Sequence, residues 1–205
     1  VTAPLALAGA GMVKLASDAA ETQAKFRQVF GDLTDSANEW VDEYSRAIGR
    51  ARTDVQEMSA TMMSIVKAMH LSDEAGMELS QTITELSVDM GAFHNVADVE
   101  ASNALRSAIP GKYEPMKRFG VVINEAKVQQ ELLNMGITGG TKAATDAEKV
   151  QARLNIIMSA TADVQGAAAR EADGFANQMK ALAADAKELG ESFGQELLPL
   201  AQDLI

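Results

Sequence analysis

Two histidines and no cysteine occur in the 205 residues, and this restricts most of the chemistry open to the chain. Without Cys there is no thiol nucleophile, disulfide framework, Cys-ligated zinc or iron–sulfur cluster. His70 precedes Leu71-Ser72 and His94 precedes Asn95, each at the expected end of a helix, where an imidazolium suits the helix dipole. If those ends met, the pair could offer two ligands to a metal, but neither His sits in a Glu-x-x-His or His-Glu-x-x-His spacing. Carboxylates are abundant, yet Asp42-Glu43 and Asp73-Glu74 fall on polar faces or helix starts. None lies in an apolar run that would raise its pKa for acid–base work. Gly136-x-x-Gly139-Gly140-Thr141-Lys142 shares letters with a phosphate loop but lacks its spacing and its preceding strand. Neither a Gly-x-Ser-x-Gly elbow nor a dinucleotide fingerprint is present. Met58, Met62, Met63 and Met69 could line an adaptable groove, although helical spacing more often makes such a stripe core. No catalytic, cofactor-binding or metal residue is assigned, and neither an enzyme nor a cofactor is expected.

The residues that would have to position any site point to helices. Apolar residues make up 47% and aromatics only 4%, with eleven Met. That mix favours helices over sandwiches and barrels, which rely on β-branched and aromatic side chains. The formal charge is −11. Residues 1–110 hold 8 basic and 16 acidic groups and residues 111–205 hold 10 and 13, so both halves are acidic. No cationic cluster offsets this, and direct nucleic-acid readout is not expected.

Local signals then divide the chain. Val1–Ala16 is apolar and small, without an initiator Met or basic n-region, and too short and Gly-broken to span a bilayer. It is expected to be the start of an excised piece or a flexible lead-in. Segment 1–32 is this lead-in plus a first helix from about Gly11 to Phe30, broken by Gly31-Asp32. Segment 33–135 is a helical hairpin or bundle region. Thr34 or Asp35 caps a stripe running from Trp40 through Tyr44, Ile48, Val55 and Met62 to Met69, with a kink at Gly49. Ser72 caps the next helix, Asn95 with Asp98 a short one ending at Pro110-Gly111, and Asn124 another. Tyr113–Phe119 is a short helix closed by Gly120. Val121-Val122-Ile123 is the one β-like run, too short for an independent strand. Segment 136–144 is a flexible Gly-rich loop, and 145–205 a long-helix region opened by the capping box Thr145-x-x-Glu148. Its last helix runs from about Ala167 to Leu197, and Pro199 ends or bends it.

Two helices carry heptad-like seams. Leu79, Ile83, Leu86, Met90 and Phe93 form one; Phe175, Met179, Leu182, Ala186, Leu189, Phe193 and Leu197 form the other. The expected fold is all-α: one domain, an elongated multi-helix bundle with long antiparallel helices and coiled-coil-like seams. Seams beyond those paired within the chain predict self-association into a homo-oligomer.

Several phrases, read in order, carry a family resemblance. They begin with Val1-Thr-Ala-Pro-Leu-Ala and Phe26-Arg-Gln-Val-Phe-Gly-Asp32. The middle ones are Leu86-Ser-Val-Asp89-Met-Gly-Ala-Phe93-His-Asn95-Val-Ala-Asp98, Leu105-Arg-Ser-Ala-Ile-Pro-Gly111 and Glu114-Pro-Met-Lys-Arg-Phe-Gly120. The last are Gln165-Gly-Ala-Ala-Ala-Arg-Glu171 and Phe175-Ala-Asn-Gln-Met-Lys-Ala-Leu182. The chain resembles, over most of its length, the N-terminal conserved region of tail tape measure proteins of long-tailed bacteriophages and prophages. The resemblance implies a structural virion protein of the tail-tube lumen, in the host cytoplasm during assembly. It would set tail length and take part in genome ejection, with tail tube protein and tail assembly chaperones as partners and host-envelope contact in some members. It transfers no catalytic residue, and the lytic domain of some members has no motif here. As one helix the chain would reach at most about 310 Å, a module of a ruler. The alternative is a helical pore-forming or effector toxin fragment, or another helical scaffold.

Overall fold

A computed structural model describes residues 3–69, 71–170 and 175–202. The chain is all-α, and no strand occurs among the described residues. Tertiary contact groups it into two compact units, residues 1–60 with 172–205, and residues 61–171. These cut across the segments drawn from local composition.

The first unit is built on α1 (Ala3–Phe30), α2 (Thr34–Ile48), the start of α3 (Arg52–Val66) and α10 (Phe175–Gln202). Helix α1 begins at Ala3, so the residues read as a lead-in are part of it. Phe26 and Phe30 lie one turn apart with ring centroids 4.4 Å from each other, both buried. The stripe read as one kinked helix is two. Gly49 takes the left-handed conformation (φ 60°, ψ 53°) and its N–H closes on the Ser45 carbonyl, which ends α2 outright. A Cβ there would also stand 2.8 Å from that of Ala181, so only glycine fits both the dihedral and the space. The expected side-chain cap of α2 is absent: its N-cap is Leu33, and Thr34 instead turns its hydroxyl back to the Gly31 carbonyl at 2.6 Å.

Helices α1 and α10 run antiparallel, Gly190 standing against Leu15 and Gly194 against Met12 and Ala16. The face that α10 buries is small: Ala184, Gly190 and Gly194, with Glu191, are buried, whereas Met179, Leu182, Leu189 and Phe193 of the expected seam are 49–60% exposed. The heptad pattern is present but does not form the internal seam expected. Ala and Gly admit a closer approach of two helix backbones than Leu and Phe do, and interaxial distance follows the side chains at the contact. The side chains of Phe175 and Leu197 lie outside those described. Helix α10 also runs on through Pro199 to Gln202, so Pro199 does not end it.

The second unit holds one apolar core. Met62, Val66, Ile83, Leu86, Met90, Leu105, Ile109, Met116, Leu132, Leu154 and Ile157 belong to it. They come from the end of α3, from α4 (Asp73–Phe93), α5 (Asp98–Ala108), the 3-10 turn Glu114–Phe119, α6 (Glu125–Asn134) and α8 (Asp146–Ala160). Helix α4 is buried over most of its surface, including Ser80, Thr84 and Ser87. Each of these hydroxyls donates to a carbonyl in the preceding turn at 2.7–2.8 Å, which satisfies it where water cannot reach. Val121 and Ile123 are buried and Val122 exposed; the β-like run is an extended link that fills the core by alternation, without a partner strand.

Three caps stand where the residues announce them. Ser72 accepts from the Ala75 N–H, Asn124 from the Lys127 N–H, and Thr145 from the Glu148 N–H, with the Glu148 carboxylate taking the Thr145 N–H in return. The Thr145 backbone N–H first, and then the Thr145 hydroxyl, donate to the Glu148 carboxylate and hold that carboxyl below its ordinary range. The Asn95–Asp98 box does not form: the N-cap of α5 is Ala97, with no side-chain bond. Asn95 instead adopts φ 50° in the link from α4, a conformation Asn tolerates better than most residues. The glycine segment 136–144 contains α7 (Gly140–Ala143). Gly140 is buried beneath Gln129 and Ala144 is buried as well, so the segment is folded onto the unit.

Candidate functional site

His70 lies outside the described residues, and His94 is edge-on to Phe93 and Phe119, with centroids 5.0 and 5.2 Å away. Among the described residues no group of three His, Asp or Glu side chains is placed to hold a metal. The four methionines of the stripe are buried, core rather than groove. Asp42 is drawn into a polar cluster; Glu43, Asp73 and Glu74 are exposed.

That cluster is the candidate site, and it lies within the first unit. Helix α3 opens with Arg52-Thr53, and Gln56 follows one turn later. Arg52 Nε donates to Asp42 Oδ1, Nη2 to Asn38 Oδ1 at 2.9 Å and Nη1 to Gln23 Oε1 at 3.3 Å. Gln56 is fully buried, and its Nε2 donates to the same Gln23 and Asn38 oxygens at 2.8 and 2.9 Å. Three helices are thus tied by one arginine and one amide, each bridging the same two carbonyls. Helix α10 closes the cluster from another side. Glu188 Oε1 accepts the Arg52 backbone N–H at 2.9 Å, Glu191 Oε1 accepts the Thr53 hydroxyl at 2.8 Å, and Lys187 pairs with Asp54. A groove of about 430 Å³ opens here, lined by Gln23, Arg27, Thr53, Gln56, Glu188 and Glu191 among others.

Burial pushes the Glu191 carboxyl above the usual carboxylate range; the Thr53 hydroxyl and the Lys187 ammonium pull the other way and do not offset it. Between the ordinary value and the raised one, the folded protein holds a proton at Glu191 that the unfolded chain releases. Stability therefore falls as pH rises through that window and levels off above it. Substituting Glu191→Gln should remove this part of the pH dependence. Urea midpoints of the two proteins measured from pH 4 to pH 8 should converge at the acid end, with the wild type losing stability relative to the variant on the way up.

The arrangement docks helices on one another, with Arg52 and Thr53 giving donors to oxygens of α1, α2 and α10. Residue spacing did not reveal it because its members come from separate helices. The one local signal is the Arg52–Gln56 pair at i,i+4 beside the apolar stripe, where a buried Gln is unusual. No protein-family model, curated protein or solved structure matches the chain.

Proposed function

We propose that the chain is a helical region of a phage or prophage tail tape measure protein, acting in tail-length determination and genome delivery. The observation that carries it is the ordered set of phrases, and its supporting feature is where those phrases lie. Asp89 of one phrase accepts the N–H groups of Gly166 and Ala168 in another at 2.6 and 3.0 Å. His94 packs on Phe119. Residues quoted for the resemblance thus meet in the second unit, as expected if they describe one folded module. In-frame deletion or duplication of helical segments in the full gene should shorten or lengthen tails in proportion, read by electron microscopy.

The outward apolar strip of α10, Met179, Leu182, Leu189 and Phe193, supports self-association. Light scattering at increasing concentration should show the mass rising above the 21.7 kDa of one chain; a constant monomer mass would count against it. The same strip is what favours the membrane-active alternative. No described helix is long and apolar enough to cross a membrane, so that reading needs surface insertion, and dose-dependent leakage from liposomes would favour it.

A further inference from the structure

A half-buried cation in the second unit has no counter-ion. Arg153 of α8 donates through Nε to the Tyr113 hydroxyl at 2.9 Å and through Nη1 to the Ile109 carbonyl at 3.1 Å. Both acceptors are neutral. Nη2 lies over Gly111, 3.3 Å from where a Cβ would stand. Among the described residues it has no acceptor, and no carboxylate pairs with Arg153. A guanidinium does not lose its proton in a protein. The position therefore carries a fixed positive charge without a partner, in a chain whose formal charge is −11.

This guanidinium stands at the wall of a groove of about 460 Å³ within the second unit, inside the size range of small-ligand sites. The carbonyl it holds is the one that joins Ile109 to Pro110, and Ile109, Pro110 and Arg153 all line the groove. Ile65, Met69, Ala147 and Val150 line it too, and each belongs to the apolar core or packs against it. On α8, Asp146, Lys149, Val150 and Arg153 fall at i, i+3, i+4 and i+7, which is one face of a helix. Lys149 and Arg153, four residues apart, have Cβ atoms roughly 5–6 Å from each other, close enough for one anion to meet both. The Lys149 ammonium is 3.4 Å from Asp146, whose side chain is 99% exposed, and a surface pair of this kind contributes little. Two cations and one carboxylate leave the lining one positive charge in excess.

We propose that this groove binds an amphipathic organic monoanion, a carboxylate carrying an alkyl chain. Its carboxylate bonds Arg153 Nη2 and the Lys149 ammonium, and its alkyl chain lies on Ile65, Met69 and Val150. An ionised carboxylate only accepts, which matches two cationic donors. Burying the alkyl chain against apolar side chains removes both from water. The inference stands independently of the phage reading.

The test uses the full 205-residue chain, 15N-labelled, titrated with sodium octanoate below its micelle concentration. Parallel titrations use 1-octanol, which has the alkyl chain without the charge, and sodium acetate, which has the charge without the chain. Octanoate should give a saturable shift of the Arg153 Nε–H signal and of the Ala147 and Val150 amides. Octanol should bind roughly tenfold more weakly, and acetate should give no saturable shift. Arg153→Met keeps an apolar stem and should weaken octanoate roughly tenfold, the loss of one hydrogen bond between charged groups, with octanol affinity unchanged. Should that variant fail to fold, Lys149→Gln, which gives up only the surface pair with Asp146, should also weaken octanoate and leave octanol unchanged. The proposal is overturned if octanoate gives no saturable shift, or shifts spread over both units in the manner of a detergent. Equal affinity for octanol, or unchanged octanoate affinity in the variants, would overturn it too.

Discussion

Replacing Asp89 by alanine should destabilise the second unit by about 3 kcal/mol or more, the largest loss expected from a single polar side chain here. Asp89 is 8% exposed and sits on α4, yet both carboxylate oxygens serve the start of α9 (Ala167–Arg170), bonding Gly166 N–H and Ala168 N–H. It acts as an N-cap supplied from 77 residues away. Alanine leaves the Ala168 N–H without an acceptor in a buried setting and removes the acceptor of Gly166, each group costing about 1–3 kcal/mol. Asparagine keeps one acceptor oxygen and loses the charge, so Asp89→Asn should fall between wild type and Asp89→Ala. Urea denaturation followed by circular dichroism measures the series. Equal midpoints for all three proteins would show that the contact contributes nothing to stability.

A second large effect is expected in the first unit. Substituting Gly194→Val should separate α10 from α1. A Cβ at Gly194 would collide with the Met12 carbonyl oxygen and stand 2.6 Å from its carbon and 2.8 Å from Ala16 Cβ. The obstacle is mainly backbone and cannot rotate away. Overpacking a core typically costs about 1–3 kcal/mol where side chains can move; here the helices must part, so the loss should reach or exceed the upper end. Hydrogen exchange should show amides of α1 and α10 losing protection while those of α4 and α8 keep theirs. Unchanged protection of α1 would contradict the packing of α10 by its small residues.

These two sites also mark where sequence reading stops. Caps at Ser72, Asn124 and Thr145 were legible because donor and acceptor lie three residues apart. The cap by Asp89 was not, because nothing near Asp89 announces a helix start 77 residues on. The all-α class was legible from the abundance of helix formers and from apolar periodicity. Which face of α10 turns inward was not: Met179, Leu182, Leu189 and Phe193 make the stronger apolar pattern, yet Ala184, Gly190 and Gly194 make the closer fit. Gly49 within an apolar stripe predicts a kink, whereas its left-handed backbone ends a helix. The polar cluster was invisible for the reason that governs Asp89. Gln23, Asn38, Asp42, Arg52 and Gln56 are unremarkable singly and become a cage only when their helices are brought together.

On the proposed tail function, helical length in this chain would be converted to physical length in a tail, and one measurement bears on that most directly. Helix α10 holds 28 residues, about 42 Å at 1.5 Å per residue. Duplicating 175–202 in frame within the full gene should lengthen tails by about that amount in electron micrographs, and deleting the same segment should shorten them equally. Tails of unaltered length in both strains, with the altered protein present in the particles, would contradict the account.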